Sequence, residues 1–163
     1  MARAEPNTSI VPSILDRLLD EDPGVTQEPM TGRFQGVRGM ERAVARDLET
    51  LLNTRQEILQ ALPDEFAEVS NSLLTYGLPD LSSFSLDSED DRGRVRRVIE
   101  QAIANCEPRL ERVQVILQAP RENERGLRFR IDALLRVDPA PEPVTFDAML
   151  QLNTQQYIVR GQD

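Results

Sequence analysis

The chain contains no histidine, no tryptophan and no lysine, and it has one cysteine in 163 residues. Without histidine, every histidine-based triad and most zinc sites are excluded. The single Cys106 cannot form an internal disulfide, and a lone thiol on the apolar side of a helix reads as core filling. With no tryptophan and only two tyrosines, there is little of the aromatic surface on which carbohydrate sites are commonly built. The basic residues are all arginine, which biased codon usage in a GC-rich genome would explain. Arginine is also the better residue for forked pairing with carboxylates.

Positive charge is in short supply, and the formal net charge is −9. That argues against a nucleic-acid binder, because neutralising phosphates needs a basic surface, and against docking on anionic membrane. No apolar run approaches a membrane span, so no direct membrane insertion is expected. The opening "MARAEPNTSIVPS" lacks the apolar run of a secretory leader, so a cytoplasmic location is expected. A chain of this length is expected to form one domain with an arm. It buries roughly two-thirds of its unfolded surface without help from disulfides or metals.

We divide it into an arm at residues 1–30 and a single domain at residues 31–163. In the arm, "VPSILDRLLDEDP" predicts a short amphipathic helix, with Ser13 as cap and Ile14, Leu15, Leu18 and Leu19 on one side. Pro23 and Gly24 stop it, and a Gly-, Pro- and Thr-rich connector runs to Gly39. "GMERAVARDLETLLN" predicts the first long helix. Met40, Val44, Leu48, Leu51 and Leu52 form one stripe, with Glu41, Arg42, Arg46, Asp47 and Glu49 on the outer face. From "NTRQEILQALPDEF" to "LLTYGLPDLSSFSL", Pro63, Gly77 and Pro79 break the pattern into short turns, with Gly77 expected to take a left-handed conformation after Tyr76.

"LDSEDDRGRVRRVIEQAIANC" predicts the second long helix. Asp87 or Ser88 caps it, and Glu89, Asp90 and Asp91 suit the positive end of its dipole. Its stripe is Val95, Val98, Ile99, Ala102, Ile103 and Cys106. The arginines 92, 94, 96 and 97 follow an acidic run, and we read them as a solvated face rather than a phosphate site. After Pro108 the period becomes two. Val113, Val115 and Leu117 alternate with polar residues, and so do Leu127 to Val137, then Val144 to Leu152, before a closing "QYIVR". Helices first and strands last imply an α+β fold, with N-terminal helices on one face of a C-terminal antiparallel sheet of three to four strands.

No phosphate loop, nucleophile elbow or metal-ligand spacing is present, so we assign no catalytic, cofactor or metal residues. The seam "CEPRL" is the place where charge and core meet. Proline stops the helix there, since it disfavours helical geometry before it and has no backbone donor. Glu107 is the acid whose context suggests burial, but Arg109 is two residues away. An adjacent guanidinium favours the charged carboxylate, the reverse of what a proton donor needs. Two readings of the pair stay open: an internal ion pair at a helix end, or contacts to a partner. Charges at the mouth of a core are costly unless every donor and acceptor is matched.

"GMERAVARDLETLLNTR", "LLTYGLPDLSS" and the "EPRL-x2-V-x-V" seam together resemble the TssE family over roughly residues 30–160. These are baseplate subunits of bacterial type VI secretion systems, related to a wedge protein of contractile-tail phages. The resemblance implies a non-enzymatic structural protein in a cytoplasmic baseplate. Its implied partners are the TssF, TssG and TssK subunits and the sheath subunits TssB and TssC, whose polymerisation it helps to start. It implies partner contacts through Glu107, Pro108 and Arg109, and strand addition at the C-terminal sheet edge, Val144 to Arg160, as a second docking mode. The alternatives are a lysozyme-type peptidoglycan hydrolase using Glu107 as acid, and a generic adaptor.

Overall fold

A computed structural model describes residues 36–56, 72–81, 84–85, 88–118, 126–151 and 156–161, with Ser13, Ile14 and Leu18 of the arm. Helices precede strands: α1 (Val37–Asn53), a 3-10 turn (Leu73–Thr75), α2 (Glu89–Cys106), β1 (Leu110–Leu117), β2 (Gly126–Leu135), β3 (Glu142–Gln151) and β4 (Gln156–Gly161). The strands form one antiparallel sheet in the order β1-β2-β3-β4. Helix α1 packs on β4 and α2 on β1, and both bury their stripes in a single core with one face of the sheet. The expected α+β architecture is therefore the observed one, with four strands.

The stripes explain the packing. Val44, Leu48, Leu51 and Leu52 of α1 and Val95, Ile99 and Ile103 of α2 are buried, and they meet Phe129, Ile131, Leu135 and Phe146 of the central strands. Each such side chain contributes roughly 1.5–3 kcal/mol by leaving water. Cys106 lies half-buried against this core, as core filling requires. Ser88 caps α2, its hydroxyl accepting from the Asp91 N–H at 3.4 Å. Of the arm's stripe, the two described positions, Ile14 and Leu18, are helical and 78% and 76% exposed. The rest of the arm, and the turns expected over 57–71, lie outside the described residues.

Two local features carry the chain past its helices. Gly77 has φ 109°, the positive region expected from the sequence. A Cβ there would lie 2.5 Å from the Thr54 carbonyl oxygen. That close approach lets the Leu78 N–H donate to Thr54 O and the Gln56 N–H donate to Leu78 O, each at 2.8 Å. In β1 the core residues change parity: Leu110 and Val115 are both buried although five positions separate them. The pairing with β2 slips between Glu111 and Gln114, and Arg112 takes a left-handed φ of 52°. This bulge inserts one residue so that both side chains face the core. The alternation read from Val113 onward is correct but does not reveal it.

Candidate functional site

The seam forms a tight corner. The Glu107 N–H donates to Ile103 O at 2.8 Å, completing α2, and Glu107 O accepts the Leu110 N–H at 3.1 Å. Pro108 thus occupies the second position of a four-residue turn, where its fixed φ suits the geometry. The first residue of β1 follows at once. Helix end, turn and strand start share a few atoms, so the side chains at 107 and 109 project from a rigid frame.

Those side chains form a clamp. Arg109 donates from Nε to Glu107 Oε1 at 2.7 Å and from Nη2 to Glu107 Oε2 at 2.5 Å, a forked pair. The Arg109 backbone N–H adds a bond to Oε1 at 3.2 Å. The same Nη2 reaches Asp47 Oδ2 on α1 at 2.5 Å, which ties the first helix to the corner. Glu107 is 5% exposed and is the one buried charged residue among those described. The Arg109 and Asp47 side chains are 24% and 32% exposed. Two carboxylates hold the guanidinium charged, Glu107 first among them, and push its pKa further above its ordinary value against the opposing effect of burial.

Around the clamp lies a groove of about 510 Å³, lined also by Ser13 of the arm, Thr50, Tyr76, Cys106 and Pro108. Burial, more than any neighbouring charge, raises the Tyr76 and Cys106 pKa values, and a Gly77 backbone hydrogen bond acts the other way on the thiol. A thiol raised in this way is a poor nucleophile at neutral pH. In the turn preceding Tyr76, Leu73 and Leu74 are 88% and 58% exposed. Among the described residues no group of three or more acids or cysteines is arranged to hold a metal. No helix among them is long and apolar enough to cross a membrane.

Of the two readings left open for the pair, the structure shows the internal one, Glu107 joined to Arg109, and adds Asp47, a residue that reads from the sequence as part of the outer face of α1. Asp47 lies 62 positions from Arg109, and nothing local marks it. Glu49 was assigned to the same outer face, yet its Oε2 accepts the Val159 N–H of β4 at 2.9 Å. The edge expected to accept an added strand also differs from expectation. Strand β3 is internal, and Tyr157 and Val159 of β4 already bond side chains of α1. A strand added there first has to displace them.

Fold and clamp together define a structural α+β module whose charged residues fasten its own elements to one another. Residues 38–140, more than half of the chain, match the family model of the baseplate wedge protein gp25. The chain belongs to that family, which includes TssE, and with it to the structural components of baseplates that associate with other baseplate proteins. The match covers α1, α2, β1 and β2 and ends before β3. A search of curated proteins finds no match.

Proposed function

We propose that the protein is the TssE-type wedge subunit of a type VI secretion baseplate, a non-catalytic cytoplasmic component. It binds TssF, TssG and TssK and helps to start the polymerisation of the TssB–TssC sheath. The observation that carries the reading is the corner itself, a charged clamp at a groove lined by Tyr76, Pro108 and Arg109. Glu107 is buried and acts by fixing Arg109, so the atoms a partner meets are the outer edge of Arg109, Pro108 and Asp47. Leu73 and Leu74, exposed in the turn that precedes Tyr76, supply the apolar surface that a polar rim by itself lacks. A hydrolase reading has little here to use, because a carboxyl held by a fork of arginine donors is poorly placed to protonate a leaving group.

The test uses variants that leave Glu107 with a cation. Arg109→Lys keeps the charge but loses the fork, and Leu73→Asp with Leu74→Asp leaves the clamp intact. Both are expected to fold, to co-purify poorly with TssF and TssG, and to reduce the number of sheaths formed in cells. Folded variants that assemble sheaths at the wild-type level would remove the corner from the interface. Purified peptidoglycan is expected to show no turnover, and turnover abolished by Glu107→Gln would restore the hydrolase.

A further inference from the structure

The two edges of the sheet are treated differently. On β4, the outward backbone groups of Tyr157 are both satisfied by one side chain: Asn53 Nδ2 donates to Tyr157 O, and Asn53 Oδ1 accepts the Tyr157 N–H, each at 2.8 Å. One turn earlier on α1, Glu49 Oε2 accepts the Val159 N–H at 2.9 Å. The second Nδ2 hydrogen of Asn53 goes to Glu49 O at 2.8 Å, so the amide is fully used and its orientation is fixed. Four residues of helix rise about 6 Å and two residues of strand about 6.7 Å. Positions 49 and 53 therefore match positions 159 and 157, and two side chains reproduce the bonding of an adjacent strand.

Edge strands are templates for pairing and are usually protected by proline, lysine, a bulge or a cover. Strand β4 has no proline and no bulge, and its one charged residue, Arg160, lies next to its end: its sequence is QYIVRG, and its pairing with β3 runs without a register shift from Gln151–Gln156 to Phe146–Gly161. The opposite edge, β1, carries the bulge at Arg112 as well as a bond from the Val115 N–H to Glu100 Oε1 at 2.9 Å. Among the described residues, protection of the middle of β4 thus rests on α1.

We propose that Asn53 and Glu49 form an edge lock, which stands in for a fifth strand and keeps β4 from pairing with the β4 of a second copy of this chain. A second copy is the natural occupant because an antiparallel β4–β4 pair is isologous: each copy offers the same regular edge, and the contact closes with two-fold symmetry. The inference stands apart from the baseplate reading and needs no other subunit.

Amide exchange and oligomeric state test it. In the wild-type chain, the Tyr157 and Val159 amides are expected to exchange at least about tenfold more slowly than unbonded amides. The wild-type chain is expected to be a monomer and Asn53→Ala with Glu49→Ala to give a concentration-dependent dimer, both measured by light scattering after gel filtration. Adding Val159→Pro, which deletes an outward N–H and spares the bonding to β3, is expected to return it to monomer. The single Asn53→Ala repeats the measurement in a milder background that keeps Glu49 on Val159. Fast exchange at both amides in the wild type, or a folded variant that stays monomeric, overturns the lock.

Discussion

Replacing Arg109 by alanine removes the guanidinium that both oxygens of Glu107 hold and leaves a carboxylate 5% exposed behind it. Breaking a buried pair from one side costs about 3–5 kcal/mol, because the remaining charge lies in a poor solvent without a partner. Arg109 itself is 24% exposed, so water can partly replace it, and the lower end, about 3 kcal/mol, is the expected loss. Glu107→Ala leaves Arg109 its bond to Asp47 and access to water, and the charge-assisted bonds it loses are worth about 2 kcal/mol. In the double variant no buried charge is stranded, since Asp47, which loses its bond to Arg109, is 32% exposed. Its cost should therefore stay near 2–3 kcal/mol rather than reach the sum of about 5 kcal/mol, a coupling of about 2–3 kcal/mol. Urea denaturation of the full chain and the three variants at pH 7 measures the cycle, with unchanged m-values as the check that all four unfold alike. An Arg109→Ala loss below about 1 kcal/mol, or an additive cycle, would refute the clamp as a buried, coupled pair.

Three further outcomes follow from local geometry and burial. Gly77→Ala should destabilise the protein by at least about 2 kcal/mol in the same assay, since it adds a positive-φ penalty to a clash with a carbonyl 2.5 Å away. At the β1 bulge, Arg112→Val should cost about 1–2 kcal/mol because a β-branched residue resists the left-handed region. Arg112→Gly should instead be neutral or gain about 0.5 kcal/mol, relief of φ strain outweighing the added chain entropy. Burial raises the pKa of both Tyr76 and Tyr157. Each neutral phenol therefore contributes stability that is complete below the unfolded value near 10 and is lost as pH rises through the folded value. Denaturation midpoints should show no tyrosine-dependent change up to pH 9 and fall above pH 10, and the absorbance at 295 nm should titrate later in the native than in the unfolded chain.

Periodicity was sufficient for the elements that bury one face. The stripes of α1 and α2 and the alternation of β2 and β3 each appear in consecutive residues, so the helices, the strands and most of the core were legible. The same holds for the corner: Pro108 announces where α2 stops, and Glu107 and Arg109 are close enough in sequence to be paired in advance. Asp47, Glu49, Asn53 and Glu100 were not legible. Each is polar, sits on a helix, and looks like a solvated residue until the helix is laid against a strand far away in the chain. The bulge at Arg112 was hidden for a related reason, since a change of parity has meaning only when the partner strand sets which side is the core.

By itself, then, the sequence determined the order of elements, the α+β class, the helix-to-strand corner and the exclusion of histidine-based triads, most zinc sites and an internal disulfide, because these depend on composition and on neighbours a few residues apart. Tertiary structure decided where the charges go. Packing of α1 against β4 and the corner brings a carboxylate 62 positions away onto Arg109 and an amide 104 positions away onto Tyr157. The partner of a polar side chain is chosen by whichever backbone or ion the fold places within about 3 Å of it, and no local pattern records that distance.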